Sequence, residues 1–141
     1  MNFDITDYVI RYNCLYNTGN IFYEGAFKIN DGRTVSIVRS GDVPNNILNE
    51  CFDSAILENR DDGLVAKCLF SKNDLGKIAK DAVNQQEYGL SIYANNINYD
   101  TLGYPVTVKN IKSGWVLAVI LVPMCAIPRP KTSDAGDEKE S

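Results

Sequence analysis

The chain reads as a strand-rich α+β protein with a small β-barrel or sheet core and one main helix. Three observations lead there. Short apolar segments alternate with turn signals from Phe3 to Ile37. One stretch, Asn73 to about Gln86, repeats its apolar residues at helical spacing. Trp115 to Ile127 is a run of thirteen uncharged residues dense in Val, Leu and Ile. With 141 residues the sequence is one domain's worth, expected to fold over residues 1–127 and to leave 128–141 as a flexible acidic tail.

The early strands are separated by Asn17-Thr18-Gly19-Asn20 and Asn30-Asp31-Gly32. Asp31-Gly32 lies between Phe27-Lys28-Ile29 and Val35-Ser36-Ile37, which predicts a hairpin. A polar, proline-containing loop over Asp42 to Asn46 precedes two more strands, Ile47 to Leu57 and Leu64 to Phe70, joined through Asn59-Arg60-Asp61-Asp62-Gly63. Ser71 followed by Asp74 predicts a helix start, the hydroxyl accepting from first-turn amides and the carboxylate facing the positive end of the dipole. Leu75, Ile78, Ala79, Ala82 and Val83 then form one apolar helix face. Beyond it the pattern predicts a strand over Leu90 to Ile97, a turn over Asn98 to Gly103 and a strand near Tyr104 to Lys109.

The apolar run from Trp115 falls short of the roughly 20 residues a membrane-crossing helix needs, and it contains Pro123. Its β-branched density predicts a buried central strand. From Pro128 the composition changes to Pro-Arg-Pro-Lys-Thr-Ser-Asp-Ala-Gly-Asp-Glu-Lys-Glu-Ser, with no large apolar residue to offset the entropy of ordering it. A disordered tail is expected.

Composition narrows the function. Eighteen acidic against fourteen basic residues give a formal charge of −4, with no Lys/Arg run longer than two, so nucleic-acid binding is not expected. Cys14, Cys51, Cys68 and Cys125 are far apart, with no Cys-x-x-Cys pair and no histidine to complete a zinc set. They read as small buried hydrophobes kept reduced, and no metal is expected. Asn2, Asp4, Thr6 and Asp7 interrupt any secretory signal pattern, so use without export is expected. The glycines assemble into no phosphate-cradling loop, and no cofactor is expected. Tyr8, Tyr12, Tyr16, Phe22, Tyr23 and Phe27, with Arg11 the one basic residue among them, read as packing rather than a stacking platform.

Four segments carry a family resemblance: Gly25-Ala26-Phe27, Val35-Ser36-Ile37-Val38-Arg39-Ser40-Gly41-Asp42, Leu57-Glu58-Asn59-Arg60-Asp61-Asp62-Gly63-Leu64 and Gly89-Leu90-Ser91-Ile92-Tyr93-Ala94-Asn95. Together they resemble the capsid-maturation (prohead) proteases of tailed bacteriophages, whose fold is shared with herpesvirus assemblin. The resemblance implies an assemblin-like core, a helix that also mediates dimerisation, and a serine nucleophile on the strand after that helix. A histidine at the end of an earlier strand would take the serine's proton. Ser91 matches the nucleophile, but Gly41 stands where the histidine belongs. A second family histidine would fall near Val108 or Lys109, and the chain contains no histidine at all.

An unassisted serine hydroxyl is a poor nucleophile, and loss of the base removes most of a triad's acceleration. Histidine-type proteolysis is therefore not expected, and no catalytic residue is assigned. The resemblance implies a degenerate relative acting as a capsid-associated structural, decoration or assembly protein, in the virion head and, during assembly, the host cytoplasm. Its expected partner is the major capsid protein of the same phage, with homo-oligomerisation, no nucleic acid and no membrane. Two alternatives stand beside that reading. One is an active protease in which Lys109, desolvated so that its amine is neutral, serves Ser91 as base. The other is a small module that binds a host protein.

Overall fold

The computed structural model describes residues 2–40, 51–103, 108–124 and 127. They form β1 (Ile5–Arg11), β2 (Asn20–Phe22), a 3₁₀ turn (Lys28–Asn30), β3 (Thr34–Arg39), β4 (Phe52–Arg60), β5 (Gly63–Phe70), α1 (Asp74–Asn84), β6 (Tyr88–Leu102) and β7 (Val108–Pro123). The architecture is strand-rich α+β, with one helix and a sheet curled into a half-barrel. The order is β1-β5-β4-β3-β7-β2, and β6 pairs with β7 along that strand's other edge.

The hairpin between β4 and β5 runs in register from Ser54 opposite Leu69 to Arg60 opposite Gly63. β1 adds antiparallel to β5, and β3 bridges the two halves of the sheet. Thr34 and Val35 pair antiparallel with β4, whereas Ser36 to Arg39 run parallel to Ala118–Leu121 of β7. The core lies on the concave side: Phe27, Leu57, Leu64, Phe70, Val116, Val119 and Leu121 are all under 2% exposed. β7 is the central strand expected from its β-branched residues. Its alternation slips where Tyr93 faces Ala118 but Ala94 faces Val116, leaving Leu117 as an extra residue that points to solvent.

Four local expectations are corrected. Phe27-Lys28-Ile29 is not a strand and Asp31-Gly32 does not close a hairpin, although Gly32 does take a left-handed φ of +79°. The preceding residues coil into the 3₁₀ turn so that Asn30 reaches β7. The helix cap is Asn73 rather than Ser71: the Asn73 side-chain Oδ1 accepts from the Gly76 amide, and a Cβ at Gly76 would collide with the Ser71 backbone carbonyl. Asn98 to Gly103 is not a turn, because β6 continues to Leu102. Register shifts between Asn95 and Tyr99, with Asn96 at φ 52°, absorb the asparagines as bulges. β7 is one strand from Val108 rather than two. The loop over Asp42 to Asn46, the start at Ile47, the strand start at Tyr104 and the tail over 128–141 lie outside the described residues.

Asn30 is fully buried, and every hydrogen-bonding position of its side chain is used. Nδ2 donates to the carbonyls of Phe27 and Gly114, both at 3.0 Å. Oδ1 accepts from the Val116 amide at 3.0 Å and from Arg33 Nη1 at 2.8 Å. Removing a partner leaves buried polar groups unpaired, each costing on the order of 1–3 kcal/mol. Asn30→Ala therefore destabilises the chain by at least about 3 kcal/mol in denaturant unfolding. Asn30→Asp, which cannot donate to the two carbonyls, fails to restore the loss. An alanine variant within 1 kcal/mol of the parent would contradict this account.

Candidate functional site

Ser91 lies on β6, the strand that follows α1, opposite Ile120 of β7. Leu90 is buried in the core and Ile92 packs against it, so strand alternation sets the Ser91 side chain on the opposite face. The register row Val38–Ile120–Ser91 crosses three strands, giving Ser91 aliphatic neighbours. β3 ends one residue past this row, and Ser40 donates its amide to the Leu121 carbonyl. The Ser40 hydroxyl oxygen is buried and makes no hydrogen bond among the described residues. Gly41, the lost-histidine position, lies outside the described residues.

Beside Ser91 opens a cavity of about 310 Å³ between β6 and the end of β1. Val9, Ile10, Phe22, Phe27, Leu90 and Ile97 make its lining largely apolar, with Thr18, Asn20 and Ser91 as polar points. Among the described residues no carboxylate, amine or imidazole lines it. Tyr16 contributes a hydroxyl that accepts from the Arg11 amide at 2.8 Å, and burial pushes its pKa above the ordinary phenol value.

Lys109 is not brought to Ser91. It faces Thr101, eleven residues along β7 from Ile120, or about 36 Å of strand at about 3.3 Å per residue. It is exposed, and its ammonium sits 4.9 Å from the centroid of the Tyr99 ring. Neither the reach nor the shielding that a Ser-Lys pair requires is present, so the lysine-base alternative loses its geometry.

The carboxylates form ion pairs around the β4–β5 hairpin rather than an acid/base pair. Glu58 meets Arg60 Nε at 2.7 Å and Lys67 Nζ at 3.0 Å, and these hydrogen bonds hold its carboxyl at about 2, below the ordinary 4.5. Asp62 accepts from the Tyr8 hydroxyl at 2.8 Å, and the Arg11 guanidinium stacks 3.9 Å from the centre of the Tyr8 ring. Asp42 lies outside the described residues. Asp4, which the sequence marks only as breaking a secretory-signal pattern, accepts from the Phe70 amide at 2.8 Å and from Lys80 at 3.4 Å. The amide bond first, and then the lysine, hold its pKa below the ordinary carboxylate value despite partial burial. Only the fold brings these partners together, 66 and 76 positions apart.

Cys51 and Cys68 are buried and Cys14 is half-buried, with no disulfide among them, while Cys125 lies outside the described residues. Burial, reinforced by Asp7 and Asp4, pushes the Cys68 thiol up to about 12, too high for a reactive thiolate at neutral pH. No helix of the described residues is long and apolar enough to cross a membrane, and no group of three candidate metal ligands occurs among them.

Two measurements test this picture. Fluorophosphonate treatment followed by peptide mapping leaves Ser91 unmodified, whereas an adduct there would reveal a base that the described residues lack. Glu58 is depressed by its partners, so its contribution to stability is complete above the unfolded pKa near 4.5 and is lost as pH falls towards 2. The parent minus Glu58→Gln difference in melting temperature is therefore positive at neutral pH, shrinks between about pH 4.5 and 2, and weakens in high salt. A pH-independent difference would assign Glu58 no electrostatic role. Comparisons of the chain with protein families, with curated proteins and with solved structures find no match.

Proposed function

We propose that this protein is a non-catalytic head component of a tailed bacteriophage, derived from a prohead-protease-like, assemblin-like fold and bound to the shell of its major capsid protein. The observation that carries the non-catalytic part is the surroundings of Ser91: aliphatic neighbours in register, a nearby cavity that no described carboxylate, amine or imidazole lines, and a chain without histidine. A serine so placed has no base beside it among the described residues to accept its proton.

The capsid part rests on the resembled segments. Their positions in the fold support it. Val35–Val38 falls in β3, Leu57–Leu64 spans the tip of the β4–β5 hairpin, and Gly89–Asn95 opens β6 directly after the helix. The family's base sits at the end of an earlier strand, and here β3 ends beyond Val38, two strands from Ser91 on the same face. The departures thus fall on the chemistry, while the elements carrying the resemblance keep their order.

The test is incubation of the purified chain with assembled shells of the phage's own major capsid protein, followed by sedimentation and intact-mass analysis. Stoichiometric co-sedimentation with every mass unchanged is expected. Capsid-protein cleavage that disappears in Ser91→Ala would restore the protease reading, and failure to sediment with the shell would remove the capsid assignment.

A further inference from the structure

After β7 the chain turns back on itself. The Met124 amide donates to the Glu87 carbonyl at 3.1 Å and the Ile127 amide to the Met124 carbonyl at 3.3 Å, which returns Ile127 to the start of β6. There it rests on Gly89: a Cβ at that position would collide with the Ile127 side chain and crowd the Met124 sulfur at 2.8 Å. The absence of a side chain at residue 89 thus leaves the gap in which Ile127 is seated. Ile127 lines both cavities between β1 and β6, the smaller one beside Ser91 and a groove of about 670 Å³ bordered by the end of α1. The stretch that follows, Pro128-Arg129-Pro130-Lys131, lies outside the described residues and starts from the wall of that groove.

The groove has two kinds of wall. Tyr8, Tyr16 and Tyr88 bring aromatic rings to it, and Asp4 and Asp7 bring carboxylates. Asp7 is exposed and makes no ion pair among the described residues, its carboxylate accepting the neighbouring Tyr8 amide at 2.8 Å. Asp4 is already held by the Phe70 amide and Lys80, so Asp7 is the open acceptor. The one cation in the lining, Arg11, is engaged with the Tyr8 ring and with Asp62. Rings beside a free carboxylate fit a peptide that alternates proline with cations. Proline rings pack on aromatic faces, and a polyproline II backbone has no ladder of hydrogen bonds to satisfy.

We infer that residues 128–131 of the same chain occupy this groove as a short polyproline II segment, with the cations at Arg129 and Lys131 drawn to Asp7. At about 3.1 Å per residue the four residues reach about 12 Å from Ile127, enough to cross a groove of this volume. Position and charge select this occupant. The segment is tethered at the groove wall, so its effective concentration there is on the order of millimolar whatever the concentration of the protein. Its two positive charges meet a lining whose unpaired charge is negative. Beyond Lys131 the next charges are Asp134, Asp137 and Glu138, which Asp7 repels, so docking ends near Lys131. The inference does not depend on the capsid reading, and it asks no strand to enter the seam between β1 and β6.

The experiment uses the full chain at dilute concentration. A carbodiimide joins an amine to a carboxylate only where the two are in contact, and peptide mapping of the monomer fraction gives a Lys131–Asp7 link. Arg129→Glu lowers the yield of that link at least about threefold, as does salt at about 1 M, whereas links of Lys139 to its acidic neighbours keep their yield in the variant. In amide NMR spectra the Tyr88 and Gly89 resonances shift between the parent and Arg129→Glu/Lys131→Glu. Lys131 linked only to carboxylates of residues 128–141 overturns the inference. A Lys131–Asp7 link found only in covalent dimers does so too, since a second copy then supplies the segment, and so do Tyr88 and Gly89 resonances that stay in place.

Discussion

The centre of the sheet depends on one side-chain amide. β7 is longer than the strands that flank it on the side away from β6: β2 pairs Lys109 to Ile111, β3 pairs Ala118 to Leu121, and neither reaches Gly114 or Val116. Buried backbone groups left without partners there would each carry a desolvation penalty. Asn30 supplies what a strand would have supplied, a donor to the Gly114 carbonyl and an acceptor for the Val116 amide, while Arg33 bonds the Val116 carbonyl at 2.7 Å. A side-chain amide thus takes the place of a peptide group in the ladder. The Arg33 guanidinium, held 3.6 Å above the centre of the Trp115 ring, closes the gap from outside.

That substitution propagates into the packing. Reaching β7 requires the 3₁₀ turn at Lys28–Asn30, which drives the Phe27 ring against Gly114 at a distance no side chain on residue 114 could share. Phe27 in turn donates its amide to the Tyr12 hydroxyl, and Tyr12 donates to Asn59 at 2.6 Å, tying the first segment of the chain to the β4–β5 hairpin. The two ends of the sheet are held differently. β1 is fastened by Asp4, Tyr8 and Arg11 through ion pairs and a ring stack at the water boundary. Exposed pairs of that kind contribute little. The aliphatic and aromatic residues of β3, β4, β5 and β7 therefore carry most of the stability.

What was legible in the sequence follows from which forces are local. Strand content, the single helix and the central position of Val116–Val122 were readable, because alternation, helical spacing and β-branched density act over a few residues. The Asp31-Gly32 hairpin was not, since its turn chemistry is genuine and Gly32 adopts the left-handed conformation that such a turn uses. The outcome is decided by a side chain bonding to β7 from 86 positions away. Asn98 to Gly103 misled in the same way, as asparagines serve a turn and a bulge equally well and pairing with β7 selects the bulge. At the site, Ser91 on the strand after the helix was legible from motif order. The offset between β6 and β7 was not, and Lys109 looked near Ser91 only until a register existed to place it beside Thr101.

The same register fixes what surrounds Ser91. A nucleophilic hydroxyl needs a proton acceptor at hydrogen-bond distance, and acceptors within a sheet come from the neighbouring positions of its own row and the adjoining rows. Across from Ser91 those positions hold Ile120 and Val38; the adjoining rows hold Ala118 with Ser36 on one side and Val122 on the other. None carries a group that takes up a proton at neutral pH. Among the described residues, the register thus surrounds Ser91 with aliphatic and small side chains and places no proton acceptor in its own row or the adjoining ones.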